Sequence, residues 1–236
     1  MERRRWGYKR LHVLLRREGF TVNHKRVYRL YREEGLAVRR RKRKRVSVPR
    51  REKVAPVRPC ERWSMDFISD TLWNGRRFRS LTIVDDFTRE AAAIEVDTSL
   101  PAARVIGVLE RLEQERGLPR RIVVDKGPEF AGKALDAWAY SKGIELQFIQ
   151  PGKPVQNAYI ESFNGRFRDE CLSEHWFTSL GDARGTIERW RRDYNEVRPH
   201  GSLGNRTPAE FLSSLRGVGL RACGATAPTL PLLSEG

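Results

Sequence analysis

Apolar residues recur along this chain with two different periods, and the change from one to the other divides it. In "YKRLHVLLRREG" Leu11, Leu14 and Leu15 share a helical face, with Gly19 placed to end the helix. In "FTVNHKRVYRLYREEGL" Asn23 is placed to cap a second helix striped by Val27, Leu30 and Tyr31, and Gly35 to end it. From residue 60 the period drops to two. "RWSMDFISD" sets Trp63, Met65 and Phe67 against Ser64 and Asp66, which predicts a strand with Trp63 in the core. Asn74-Gly75 predicts a hairpin turn, "RFRSLTIVDD" the returning strand, and "AAAIEVD" a third strand after the turn at "DFTR". The helix "AARVIGVLERLEQERG" follows, with Val105, Val108 and Leu112 inward, and then the strand "RIVVD", the helix "AGKALDAWAYSKG" and the strand "IELQFIQ". Three antiparallel strands followed by strand–helix alternation predict an α/β fold: a mixed five-stranded sheet with flanking helices.

Between the two textures lies "VRRRKRKRVSVPRREKVAPVRP", a basic run relieved by prolines that reads as an extended linker. The implied organisation is a helix-turn-helix-like module at 1–37, the linker at 38–59, the α/β domain at 60–213, and a tail at 214–236 expected to be disordered. Charge follows the same division. Residues 1–58 hold 22 Lys/Arg against 5 Asp/Glu, and the remainder 24 against 25, so the net +16 lies entirely in the first quarter. A basic arm on a near-neutral domain points to a polyanion, most often nucleic acid. The paired helices then have two readings. One is a DNA-binding module exposing Lys25, Arg26 and Arg29 at the start of its second helix; the other is a basic hairpin without sequence specificity.

No segment approaches the apolar length of a membrane span, and no apolar run follows the charged start "MERRRWGYKRLH". Neither a span nor a signal peptide is expected, and the chain is assigned to the cytoplasm. Cys60, Cys171 and Cys223 are odd in number and far apart. They suit a reducing compartment, offer no zinc framework, and read as structural or incidental.

Three carboxylates stand out by context. Asp66 lies mid-strand on the face opposite Met65 and Phe67, and Asp125 ends the apolar run of "RIVVDKGPEF". Glu161 belongs to "PVQNAYIESFNGRFRDECL", a predicted helix with two stripes. Tyr159, Phe163, Phe167 and Cys171 form the apolar one; Asn157, Glu161, Asn164 and Arg168 form the polar one, with Gly165 leaving room beside it, a stripe built to face a site and expected to set Asn157, Asn164 and Arg168 on DNA. Converging carboxylates repel one another and call for a cation. Hard oxygen ligands on rigid elements suit Mg²⁺ or Mn²⁺, and two such ions about 4 Å apart can serve an in-line displacement at phosphorus. Asp85 and Asp86, by contrast, read as turn-capping groups. Pro199 and Pro208 mark a wrapping loop and a helix start, and His200 has little claim to be a catalytic base, because a metal can itself lower the pKa of its bound water.

Asp125 and Glu161 are separated by 35 residues, and with Asp66 this spacing resembles the D,D(35)E signature of transposases and retroviral-type integrases. The blocks "WSMDFISD", "LTIVDDFTRE", "DKGPEF", "FIQPGKPVQNAYIESFNGRFRDECL" and "DYNEVRPHGSLGNRTPAEFL" extend the resemblance from about Trp6 to Phe211. They resemble the second-reading-frame (OrfB-type) transposase of bacterial insertion sequences. The resemblance implies a ribonuclease H-like core, Asp66, Asp125 and Glu161 as a triad for two Mg²⁺ or Mn²⁺ ions, and Arg168 on the element's terminal DNA. It also implies double-stranded DNA as partner (terminal repeats and target), a first-frame subunit, and a homo-oligomer on DNA. Retroviral integrase itself fits less well, because its amino-terminal zinc module needs two His and two Cys, and His12 and His24 have only Cys60 near.

The family usually has Asn where this chain has Lys126. Lys there brings a positive charge beside the metal position, where it grips a phosphate or repels Mg²⁺. That departure, with a chain that starts directly at its first helix, supports an alternative: a catalytically impaired remnant that occupies element ends. A ribonuclease acting on RNA–DNA hybrids fits the fold but not the blocks beyond it.

Overall fold

The computed structural model describes residues 5–36, 55–127, 129–149, 157–216 and 223. Helices α1 (Tyr8–Arg17) and α2 (His24–Glu33) form the amino-terminal pair. Asn23 caps α2 as expected, its side-chain oxygen accepting from Lys25 N–H at 2.9 Å. Gly35 follows α2 in the left-handed region, where a side chain would be strained. Val27 and Tyr31 are buried, but Leu30 is exposed, because two short helices cover only one side of a stripe. Part of the pair's charge is spent inward. Arg17 bonds Glu210 at 2.8 Å and Arg5 bonds Glu174 at 2.5 Å. Arg10 lies 3.4 Å from Glu170, whose buried carboxylate also takes two bonds of 2.7 Å from the buried Arg198. Most of the linker, residues 37–54, lies outside the described residues.

The predicted sheet is present. Strands β1 (Arg62–Thr71), β2 (Arg77–Asp85), β3 (Ala91–Asp97), β4 (Arg121–Val124) and β5 (Glu145–Phe148) run in the order β3-β2-β1-β4-β5. The first three pair antiparallel, and β1/β4 and β4/β5 pair parallel. The Asn74-Gly75 turn is a three-residue loop: Leu72 N–H bonds Arg76 O, and Gly75 takes the left-handed position. Asp85 caps the next turn through the N–H groups of Cys60, Phe87 and Thr88. Asp86 differs from expectation. It is a buried partner of Arg62 (2.6 Å) and Ser64 (2.8 Å), tying β1 to the end of β2.

Both sheet faces are covered. Helices α3 (Ala102–Arg116) and α4 (Lys133–Ser141) close one, over Trp63, Met65, Leu81, Ile83 and Ile122. Helices α5 (Ala158–Glu170) and α6 (Leu180–Glu196) close the other, over Ile68, Phe78, Val84 and Val96. The final helix, α7 (Pro208–Arg216), begins at the expected proline and runs past residue 213. Of the tail beyond it only Cys223 is described, and this corrects the reading of the cysteines. Cys60 and Cys223 form a disulfide with Cα atoms 5.2 Å apart, a pairing that a separation of 163 residues hides in the sequence. Cys171 is free and buried, and burial pushes its thiol up to about 12. Among the described residues no helix is long and apolar enough to cross a membrane.

His200 is a packing residue. Its ring is buried edge-on against Tyr194 with centroids 4.6 Å apart, and Nε2 faces Tyr194 O at 3.2 Å. Burial, reinforced by the charge of Arg198, holds it at about 3 against an ordinary 6.5. A base with a depressed folded value contributes stability above its unfolded value and loses it as pH falls through the folded one. Between about pH 6.5 and 5 this group alone costs about 2 kcal/mol. Asp66 and Asp86, raised to about 6, titrate in the opposite sense, so a comparison isolates the histidine. His200→Gln should lose less stability than the parent over this range, as read by urea denaturation at each pH; parallel curves would refute the assignment.

Candidate active site

Asp66 lies where three elements meet. The side chains of Ser64, Asp66 and Ile68 point to the α5 side of β1, because Trp63 and Met65 occupy the other side. Asp66 is only partly buried. Its Oδ1 accepts from Phe67 N–H at 2.8 Å, and its Oδ2 from the Asn164 amide of α5 at 2.7 Å. Asn164 is held in turn by Thr82 Oγ1 of β2, which donates to its Oδ1 at 3.0 Å. Parallel pairing sets Ser64 opposite Val123, so two residues further along each strand bring Asp66 and Asp125 to the same edge. Asp125 is exposed just past β4, and its Oδ1 accepts from Gly127 N–H at 2.9 Å. Glu161 is exposed in the first turn of α5.

The electrostatics register this convergence. Asp66 titrates at about 6, chiefly because burial penalises its charge. The Phe67 N–H pulls it down, Asp125 pushes it up, Asn164 pulls it down and Glu161 pushes it up. Both exposed acids therefore raise the partly buried one. Among the described residues no three acidic, His or Cys side chains are drawn to metal-ligating distance. The donor chemistry still fits a hard divalent cation: three carboxylates, borne by β1, by the residue after β4 and by the first turn of α5, the first of them favouring a nearby positive charge because burial disfavours its ionised form.

The loop after Asp125 is fastened from below. Arg79 of β2 hydrogen-bonds Glu129, which lowers that carboxyl, and lies 4.3 Å over the Phe67 ring. Phe67 stacks on the buried Phe130 at 4.8 Å, so the Glu129-Phe130 pair is anchored by both charge and an aromatic face. The sequence reading missed Arg79, Thr82 and the Asn164–Asp66 bond. All three are contacts between segments distant in sequence, and Glu129 following Asp125 was the only local hint.

The residues expected on DNA divide. Lys25, Arg26, Arg29, Lys126 and Arg168 are exposed. Asn157 and Asn164 are buried, so neither lies open to solvent as expected. Asn164 serves Asp66, and Asn157 Oδ1 finds no hydrogen-bond partner among the described residues. The apolar stripe of α5 is buried as expected at Phe163, Phe167 and Cys171; only Tyr159 departs, half-exposed beneath Arg62 and Arg89, while Ile160 is buried beside it.

Solved structures define the class first. The HTLV-2 integrase catalytic core domain in complex with magnesium matches with a TM-score of 0.54 at 15% identity, over 66% of this chain and 97% of that one. A chain of the simian T-cell lymphotropic virus intasome, in complex with a PP2A regulatory subunit, matches with a TM-score of 0.62 at 15% identity, over 93% of this chain and 75% of that one. The fold is that of an integrase core. Sequence then narrows it. The family models of the integrase core domain match residues 56–154 and 142–208, and that of an HTH-like domain matches residues 1–44. An insertion element IS407 protein of 31.7 kDa from Burkholderia multivorans is 56% identical over 91% of this chain and 78% of its own length. An insertion element IS476 protein of 39.2 kDa from Xanthomonas euvesicatoria is 53% identical over 90% of this chain, which spans 62% of that relative. The chain belongs to the OrfB-type insertion-sequence transposases, with an HTH-like domain before an integrase core.

A Cβ added at Gly127 would sit 2.9 Å from Asp125 Oδ1, too close unless that carboxylate moves. Gly127→Ala should therefore displace Asp125 without disturbing the core. If Asp125 serves the strand cleavage proposed below, where misplacing a reacting group by ~1 Å costs about 100-fold, that activity should fall about 10- to 100-fold. The thermal midpoint should drop by less than about 4 °C. Unchanged cleavage would show that the Gly127 contact does not set the position of Asp125.

Proposed function

We propose that this chain is a DDE-type polynucleotidyl transferase that cuts a phosphodiester at the end of an insertion sequence and joins the freed 3′-hydroxyl to target DNA. The observation carrying this reading is the placement of Asp66 on β1, beside the end of β4 that bears Asp125 and under the helix α5 that bears Glu161, within an integrase-type sheet. Asp66, Asp125 and Glu161 would hold Mg²⁺ or Mn²⁺. When bound, such ions supply the positive charge that the attacking and leaving oxygens of an in-line displacement require.

The protein's own part is to hold position. Asn164 and the Phe67 N–H fix both oxygens of Asp66, Gly127 fixes one oxygen of Asp125, and the rigid first turn of α5 presents Glu161. In the first step water attacks phosphorus, and the bond to the 3′-oxygen breaks to leave a 3′-hydroxyl. In the second that hydroxyl attacks a target phosphodiester: one P–O bond forms as another breaks, so no external energy source is needed. Lys126 and Arg168, both exposed, are assigned to phosphates on either side of the acids. Lys25, Arg26 and Arg29 on α2 are assigned to the terminal repeats. A first-frame subunit and a second copy of this chain complete the proposed assembly.

Strand transfer on terminal-repeat DNA with Mg²⁺ tests the assignment. Loss of a group that only hydrogen-bonds to a metal's ligand costs about 10–100-fold, so Asp125→Asn, which alters a proposed ligand, should cost more than about 100-fold. Equal activity of the two proteins would refute the site. Lys126 favours a second reading, a DNA-binding remnant without catalysis, because its charge adjoins Asp125. The parent protein would then hold element ends and never cleave them, whatever the Mg²⁺ concentration.

Lys126→Asn separates the two effects of that lysine. The variant should reach half-maximal activity at lower Mg²⁺, and its log affinity for DNA should lose about 0.9 of salt slope, as for one phosphate contact. If neither quantity moves, Lys126 touches neither metal nor DNA.

A further inference from the structure

Two tryptophans stand side by side in solvent on the core, and the chemistry above uses neither. Trp73, at the tip of the β1–β2 hairpin, is 70% exposed, and Trp176, beyond α5, is 80% exposed. Their rings meet edge to face with centroids 5.3 Å apart. Backbone bonds fix the pair. Trp73 N–H donates to Phe177 O at 2.8 Å, and the hairpin tip is closed by Leu72 N–H to Arg76 O and Gly75 N–H to Leu72 O, each 2.9 Å. Phe177 is itself buried edge-on against Phe78 at 5.5 Å. The scaffold is thus core-anchored and presents two large apolar rings to water, an arrangement that implies a ligand.

Register places the pair relative to the acids. β4 pairs with β1 only as far as Ser64, whereas β1 and β2 stay paired out to Thr71 and Arg77. The ribbon therefore overhangs the edge from which Asp125 emerges, and Trp73 lies about 23 Å beyond Asp66 at the strand rise. Helix α5 runs the same way: Asn164 meets Asp66, and further along Cys171 lies within the influence of Asp70. Arg168 is exposed on α5 between Glu161 and Trp176, and Arg76 and Arg77 are exposed at the hairpin. Of the acids in this region, Glu174 is paired with Arg5, Asp70 is partly buried and Asp169 is exposed.

We propose that Trp73 and Trp176 form a stacking platform for unpaired bases of the DNA strand leaving the active site, with Arg76, Arg77 and Arg168 on its phosphates. This rests on the transferase reading, because the acids give the strand its starting point. Aromatic rings that hold bases beside cations that hold the backbone are the means by which single strands are bound without sequence preference. Exposed Trp and Arg also occur at protein interfaces, so charge decides the occupant: three exposed arginines on the hairpin and α5 favour a phosphate backbone over a protein face. Intact duplex hides its base faces, so the platform selects unpaired nucleotides.

The test is DNA binding by full-length protein carrying Asp125→Asn, which removes turnover. Trp73→Ala/Trp176→Ala in that background should bind a duplex with a 3′ single-stranded tail about tenfold or more weakly, with little change for the blunt duplex. Trp73→Phe/Trp176→Phe should retain most of the affinity. Both positions are exposed, so the thermal midpoint should stay with that of the parent. Equal loss for tailed and blunt DNA, or no loss, overturns the proposal. So does a shift in oligomeric state with DNA affinity unchanged, which would assign the pair to a second copy. Failure of the parent to hold either DNA overturns both this and the transferase reading; binding of tailed DNA without Mg²⁺-dependent cleavage by the unsubstituted chain overturns the transferase reading alone.

Discussion

The arrangement around Asp66 depends on one polar seam between a helix and a sheet. A carboxylate on the inner side of a strand normally disrupts the packing above it, because burial penalises its charge and leaves its oxygens unpaired. Here α5 supplies Asn164 at that point, and β2 supplies Thr82 to orient the amide. This bridge sets α5 in rotation and in height. With Asn164 over Asp66, Phe163 and Phe167 fall onto the second core cluster beside Trp190 and Tyr194, and Glu161 is turned outward at the near end. The packing of the helix and the exposure of its acid follow from the same contact.

That dependence explains what the sequence showed and what it concealed. The strands, their order and the covering helices were legible, because apolar periodicity is local and both faces of the sheet demand it. On α5 the apolar stripe holds at Phe163, Phe167 and Cys171, and the period fails at two positions. Tyr159 has the apolar body expected of a core residue, yet it sits under the guanidinium groups of Arg62 and Arg89, whereas Asn164, polar by composition, is buried. Period alone cannot distinguish an amide that faces a site from one that is buried to support it. The disulfide and the Arg79–Glu129 clamp were hidden for the same reason: each is a pairing across the fold.

Charge separates into two kinds of use. The first quarter of the chain carries the whole excess, but the amino-terminal pair turns Arg5, Arg10 and Arg17 of its first segment toward Glu174, Glu170 and Glu210 of the core. Its second helix leaves Lys25, Arg26 and Arg29 in solvent. Composition predicts a polyanion surface without saying which helix carries it. The acids that meet α1 decide that, since a cation already paired with a carboxylate has less to gain from a phosphate. The buried Glu170, shared by Arg10 and Arg198, is the firmest point of that seam: removing Arg198 would leave its carboxylate buried with only the longer Arg10 contact.

Lys126 is where magnitude must decide between the two functional readings. A unit charge ~6 Å from a divalent ion repels it by about 1–2 kcal/mol in a water-like medium, roughly tenfold in affinity, and several times more in a buried one. Asp125 and Lys126 are both exposed, so the weaker limit applies and salt reduces it further. A tenfold loss raises the Mg²⁺ requirement without abolishing the proposed chemistry. The same lysine offers a phosphate-binding cation next to the proposed metal site, and the DNA that it helps to hold brings negative charge that offsets the repulsion. Solvent exposure thus favours an active enzyme with an altered metal requirement over a remnant that only binds.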